Sequence, residues 1–238
     1  MPHAPSPDDR GEASPEHRGE GLAEDDPRLE AAEDESPDTS LDQGAKPQAG
    51  GEEEAPEPQL DPETEARRAA AMALVRKLGD PILKSRATPV DRFDEPLRRQ
   101  VERMAGIMGD ALGVGLAAPQ LGISQRVLVY RIGREAPMIA LANPEVEWTS
   151  DDSEEFEEGC LSIPGIHVDV ERPVHVRVRA RDEAGEQRLV EASGLEARVI
   201  QHEIDHLDGV LTLDRTTKEQ RKEAMRQLRE AERADQAA

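Results

Sequence analysis

Residues 1–62 contain no valine, isoleucine, phenylalanine, tryptophan or tyrosine. Their large apolar residues are Met1, Leu22, Leu29, Leu41 and Leu60, set among 19 acidic residues, 4 basic residues and 10 of the chain's 18 prolines. A segment of net charge −15 with so little apolar surface cannot offset the entropy of ordering its backbone, and it reads as a disordered acidic extension. The rest of the 238 residues must therefore make the fold. Residues 63–238 carry 33 acidic and 26 basic residues, and their length suits one ordinary domain with a sizeable core. The expected division is an extension at 1–62, a folded domain at 63–214 and a charged helix at 215–238.

Charge and composition exclude several classes of function. A net charge of −22 argues against a DNA- or RNA-binding protein. No apolar run approaches the length of a membrane span. The first residues lack a cationic start followed by an apolar core, so no secretory signal is expected, and they are too acidic for an organelle transit peptide. Cys160 is the single cysteine, which excludes an internal disulfide and fits a reducing, cytoplasmic setting.

Within the folded part, Glu63–Ala73 is alanine-rich and helical in character, Gly79-Asp80-Pro81 is a turn signal, and Ile82–Val90 reads as extended. Asp94 is a candidate N-cap with Pro96 in the first helical turn. Leu97, Val101, Met104, Met108 and Leu112 then recur at steps of three and four, predicting one buried stripe. Gly113–Gln120 reads as a loop. It follows a helix and lacks both the third glycine of a dinucleotide fingerprint and a Gly-Lys-Ser/Thr ending, which excludes nucleotide binding. Strands are predicted at Arg126–Ile132, Met138–Ala142 (closed by Asn143-Pro144), Glu145–Trp148, Pro173–Ala180 and Gln187–Glu191, with His175 on a solvent face. Ser193-Gly194 opens a helix whose apolar stripe is Leu195, Val199, Ile200, Ile204 and Leu207, ended by Gly209.

That helix carries Gln201-His202-Glu203-Ile204-Asp205-His206. Histidines four apart lie on one helical face, and two imidazoles aimed at one point make half of a tetrahedral metal site. Glu203 can reach a water on such a metal without being a ligand. No histidine follows His206; the chain offers instead its lone cysteine, Cys160, a residue type that by itself is more often small buried apolar filling than a ligand, here set in the glycine-flanked turn Glu158-Gly159-Cys160-Leu161-Ser162.

With Gly113-Val114-Gly115-Leu116-Ala117-Ala118-Pro119-Gln120 preceding them, these two motifs complete an ordered set of three, and the sequence resembles the peptide deformylases. The resemblance runs from about Met72 to Arg215 and includes Gly79-Asp80-Pro81 and Arg172-Pro173. Two departures stand out: Thr212 occupies a place where relatives usually carry an aromatic residue, and the acidic extension has no counterpart in the family pattern.

The resemblance implies an α+β fold, with antiparallel β-sheets around a central helix carrying the histidine motif. It implies that Cys160, His202 and His206 hold one divalent metal ion, Fe²⁺ in the family, with Zn²⁺, Ni²⁺ or Co²⁺ as substitutes. An exposed thiolate site with iron should be prone to oxidation. Glu203 is then the acid/base, and Gln120 and the Leu161 N–H stabilise the developing oxyanion. Gly113, Val114, Gly115 and Gly159 line an extended peptide. The implied reaction removes the N-formyl group from the initiator methionine of newly synthesised polypeptides, releasing formate. The implied partners are N-formylmethionyl nascent peptides and, through residues 215–238, the ribosome. A hydrolase of another N-acyl amide and a catalytically silent binder of nascent chains fit the same motifs; the intact Glu203 and Gln120 argue against the second.

Overall fold

The computed structural model describes residues 60–237. The acidic extension lies outside the described residues as far as residue 59.

Helix α1, Pro62–Leu74, starts on Asp61, whose carboxylate accepts the Glu63 and Thr64 N–H groups, with Pro62 preset for the first turn. The extended run expected from Ile82 begins later than its composition suggests. Pro81–Lys84 is a 3₁₀ turn, because Asp80 Oδ1 accepts the Ile82 N–H at 3.1 Å. Beyond it, Thr88 bridges Gln125 in parallel.

Helix α2, Glu95–Asp110, is capped by Asp94 and buries Leu97, Met104, Ile107 and Met108. Leu112, expected on that stripe, stands outside it: the chain has left the helix, with φ 58° at Leu112, and the side chain is 49% exposed. Gly113–Gln120 is more ordered than a loop. Gly115–Ala117 forms strand β1, and Ala118–Leu121 is a 3₁₀ turn ended by Gly122 in the left-handed region.

Strands β2 (Val127–Tyr130), β3 (Ile139–Thr149), β6 (His175–Arg181) and β7 (Gln187–Ser193) join β1 in a five-stranded sheet of order β1-β2-β3-β6-β7. Every pairing in it is antiparallel. The two runs expected on either side of Asn143-Pro144 are one strand. The pair forms a bulge, with Asn143 at φ 51° and its side chain bonded to both the N–H and C=O of Val90. Strands β4 (Ser153–Cys160) and β5 (Ile163–Pro173) form a separate antiparallel hairpin that sequence patterning did not reveal.

Both faces of the large sheet are used. Leu128, Tyr130, Leu141, Val176 and Val178 pack on Ile200, Ile204 and Leu207 of helix α3 (Gly194–Leu207). Val127, Val129 and Leu116 pack on α1 and α2. Strand β2 is therefore buried throughout, which is why its sequence is continuously apolar. Leu195, expected on the apolar stripe of α3, is instead 55% exposed in the first turn. The β4–β5 hairpin packs Ile163, Ile166, Val168 and Val170 against Leu211, which precedes helix α4 (Thr212–Arg215), Leu213 of α4 and Ala224 of helix α5 (Lys218–Ala237). No helix among the described residues is long and apolar enough to cross a membrane.

Candidate metal centre

Helix α3 brings its two histidines together by its own geometry: the rings lie edge to face with centroids 5.0 Å apart. The turn after β4 delivers Cys160, whose sulfur is 3.3 Å from His206 Nε2. Ligand atoms of Cys160, His202 and His206 all lie within 4.8 Å of one another, the one such group among the described residues. A thiolate and two imidazoles suit a borderline-soft divalent ion, and the donor set fits a three-ligand site of the kind that keeps a position open.

The protonation of His202 follows from its neighbour. Glu158 is buried, which alone would raise its pKa; the Arg172 guanidinium and the His202 ring hold it down, at about 2. It is thus an acceptor only, so His202 Nδ1 must donate to Oε2, at 2.9 Å. With Nδ1 committed to Glu158, Nε2 is the ring nitrogen that faces Cys160 and the one available to a metal ion once it gives up its proton. Burial pushes the Cys160 thiol up, and the imidazoles beside it more than reverse this, favouring thiolate well below the usual thiol range. Burial likewise disfavours a charged His202 ring, yet the hydrogen bonds to Cys160 and Glu158 carry its pKa well above the ordinary value.

Glu203 points from α3 toward β1 and is buried. Its Oε2, like His206 Nδ1, has no hydrogen-bond partner among the described residues. Burial foremost raises its pKa, so the group is disposed to take up a proton. Gln120 is 1% exposed, and its orientation is set by the Ala117 N–H, which donates to Oε1 at 2.8 Å. Its amide nitrogen consequently faces Ser162 Oγ at 3.3 Å and the Cys160 sulfur at 3.9 Å. Leu161 follows Cys160 directly, and its carbonyl accepts from Lys77 Nζ at 3.2 Å.

A cavity of about 180 Å³ opens onto this cluster, walled by Gly113, Val114 and Gly115 on one side and by Phe156–Gly159 on the other. Val114, Phe156 and Leu195 present exposed apolar surface there. Gly159 faces the His167 ring of the paired strand, and a Cβ there would lie 2.8 Å from the ring's Cδ2.

All ten residues singled out from the sequence converge on this region. The charges that support it were not foreseen. Arg172 grips Glu158 through two bonds, Nε–Oε1 at 2.5 Å and Nη2–Oε2 at 2.9 Å, and Arg198 adds a third at 2.8 Å. Arg172 also reaches Asp205, which is held in turn by Arg215. The sequence carries a signal for them only at Arg198, set between Ala197 and Val199 on α3, since a charge on a buried stripe needs a partner; Glu158 and Arg172 each follow a glutamate.

The sequence profile of the family described as Polypeptide deformylase matches residues 72–222, well over half of the chain. The chain belongs to the peptide deformylase family. The peptide deformylase of Parafrankia sp. (strain EAN1pec) is 46% identical over 158 residues, which span 66% of this chain and 86% of that protein. That of Thermotoga neapolitana is 51% identical over 144 residues, 60% of this chain and 87% of the relative. Among solved structures, the Legionella pneumophila peptide deformylase aligns with a TM-score of 0.65 at 40% identity, covering 69% of this chain and 97% of that one. A Synechococcus elongatus peptide deformylase in complex with actinonin gives 0.62 at 44% identity, with 64% and 85% covered. These matches make the chain a deformylase enzyme with the antiparallel α+β fold of that family.

Proposed function

We propose that this chain hydrolyses the N-formyl group of the initiator methionine on newly synthesised polypeptides and releases formate. The observation that carries the reading is the buried Glu203 carboxyl beside the Cys160, His202 and His206 cluster, in a chain of this family. Those three side chains would hold one divalent ion, Fe²⁺ by family resemblance. When bound, the ion supplies Lewis-acid polarisation and lowers the pKa of a coordinated water.

The remaining chemistry belongs to the chain's own groups. Glu203 takes a proton from the attacking water and returns it to the methionine nitrogen as the formamide C–N bond breaks. Burial raises the proton affinity of the Glu203 carboxylate, which strengthens it as the base that takes the water's proton; the carboxyl so protonated is then the acid that serves the nitrogen. The Gln120 amide and the Leu161 N–H donate to the formyl oxygen as negative charge develops there. Gly113–Gly115 and Gly159 receive the peptide backbone in extended form. Val114, Phe156 and Leu195 offer the methionine side chain an apolar wall.

The same proposal takes residues 63–214, folded around the helix that carries the histidines, as the catalytic unit. It sets the protein in the cytoplasm, acting on N-formylmethionyl nascent peptides, with residues 215–238 as the surface turned to the ribosome. The test is formate release from a formyl-Met peptide by protein loaded anaerobically with Fe²⁺, beside Glu203→Ala. Turnover by the parent and loss of about 10²–10⁴-fold in a variant that still binds metal would support it. A loaded parent that releases no formate would overturn it.

A further inference from the structure

We infer that Arg215 and Asp205 are positioning residues for His202, acting through a chain of buried ion pairs behind helix α3. The inference rests on the reading of His202 as a metal ligand. His202 can present Nε2 to a metal only while its Nδ1–H has a fixed acceptor. That acceptor is Glu158, 6% exposed, whose own position is set by the fork of Arg172 and by Arg198.

Arg172 is 4% exposed, and its third nitrogen, Nη1, donates to Asp205 Oδ2 at 2.9 Å. Arg215 closes the chain from α4, with Nη2 on Asp205 Oδ1 at 2.5 Å and Nε on Oδ2 at 3.1 Å. Its side chain is half-exposed, so the chain runs from solvent to the imidazole through three buried groups.

The charges explain why the far end matters. Glu158 and Asp205 balance Arg172 and Arg198, and Arg215 satisfies the second oxygen of Asp205. Without Arg215, Asp205 keeps Arg172 as its one cation. Arg172 cannot tighten on Asp205 without loosening its fork on Glu158, and a Glu158 that turns releases the His202 Nδ1–H. A cavity of about 320 Å³ lined by Arg172, Gln201, Asp205 and Arg215 gives these side chains room to make that move. The expected effect is on metal binding, where partners of ligating histidines are worth about 10–100-fold.

The test uses the full chain with Co²⁺ as the probe, reading affinity by chelator competition and the visible spectrum of the bound ion. The variants are Arg215→Gln, Arg215→Lys and Asp205→Asn. Arg226→Gln, on the exposed face of α5, serves as a surface control. Arg215→Gln is expected to weaken Co²⁺ binding by about tenfold and shift the spectrum, with Asp205→Asn weaker still. Arg215→Lys should recover part of the loss, and Arg226→Gln should match the parent. Parent-like affinity and spectrum in both Arg215→Gln and Asp205→Asn would overturn the inference. His202→Ala separates the two readings. If it loses Co²⁺ while Arg215→Gln is silent, the positioning role alone fails; if it binds Co²⁺ like the parent, the ligand assignment fails and the inference with it.

Discussion

A β-carbon on Gly115 would lie 2.3 Å from Oε1 of Glu203. The edge strand β1 and the helix α3 are thus packed with the Glu203 carboxyl, the proposed acid/base, pressed against bare backbone. A methyl group there meets the flexible end of a side chain rather than a wall, so the fold can yield while the carboxyl moves. Gly115→Ala is expected to melt within a few degrees of the parent and to lose about a hundredfold or more in kcat. Formate release and thermal melting on the same samples check this, and parent-like turnover would show that Glu203 acts from more than one position.

Gly159 stands in a similar relation to His167 across the β4–β5 ladder. Gly159→Ala should destabilise by only about 0.5–1 kcal/mol, because both residues are exposed and the His167 ring can turn away into solvent at the cost of its rotamer. His167→Ala in the same chain should restore most of that loss, because the two changes share one contact. Urea titration of the two single variants and the double variant reads the coupling.

The buried ion network makes Glu158→Ala costly. It leaves Arg172 and Arg198 facing each other without their shared carboxylate, a loss of about 3–5 kcal/mol. Denaturant unfolding of metal-free protein isolates this effect from ligand binding.

Removing the metal should lower the melting temperature without unfolding the domain, since its three apolar clusters do not depend on the ion. At an ion concentration of about 100 times Kd, binding adds roughly 2.7 kcal/mol, or roughly 5–10 °C for a domain of this size. Scanning calorimetry with and without a chelator measures it, and complete unfolding by the chelator would count against the prediction.

Asp214 ties α4 to the turn before it, accepting the Leu211 N–H at 2.8 Å and pairing with Lys84. Burial raises its pKa, but the Lys84 hydrogen bond and the Leu211 N–H outweigh this and hold the carboxyl below its ordinary 3.8. A depressed carboxylate contributes stability that is full above that ordinary value and is lost as pH falls through the lower folded one. Asp214→Asn should therefore cost about 1 kcal/mol near neutral pH, and the difference from the parent should shrink under acid. Unfolding free energies from pH 7 down to pH 2.5 test the sign.

Much of the site was legible because it is local. His202, Glu203 and His206 share a turn of helix, and an i, i+4 spacing is a property of the helix itself. Cys160 stands beside them and was expected there by a different route: no local pattern marks it, and its place followed from three motifs in order along the chain. The fold was legible where apolar residues kept a period, as in α2 and β6, and illegible in β4. Ser-Glu-Glu-Phe-Glu-Glu-Gly-Cys has no apolar alternation, and becomes a strand because β5 pairs with it and buried arginines take its one inward carboxylate, Glu158. Asn143-Pro144 misled for a related reason: a turn signal became a bulge once Val90 bonded both ends of the asparagine amide.

By itself, the sequence determined the acidic composition of the extension, the helix that pairs the two histidines and the family to which the chain belongs. Only the tertiary structure decided which acceptor holds His202 Nδ1, which side chains stand against Gly115 and Gly159, and how Arg215 is joined to the Cys160, His202 and His206 cluster. Those relations link side chains on separate elements, often tens of residues apart. They depend on which groups burial leaves without water, and burial is a property of the packed molecule, not of any stretch of chain.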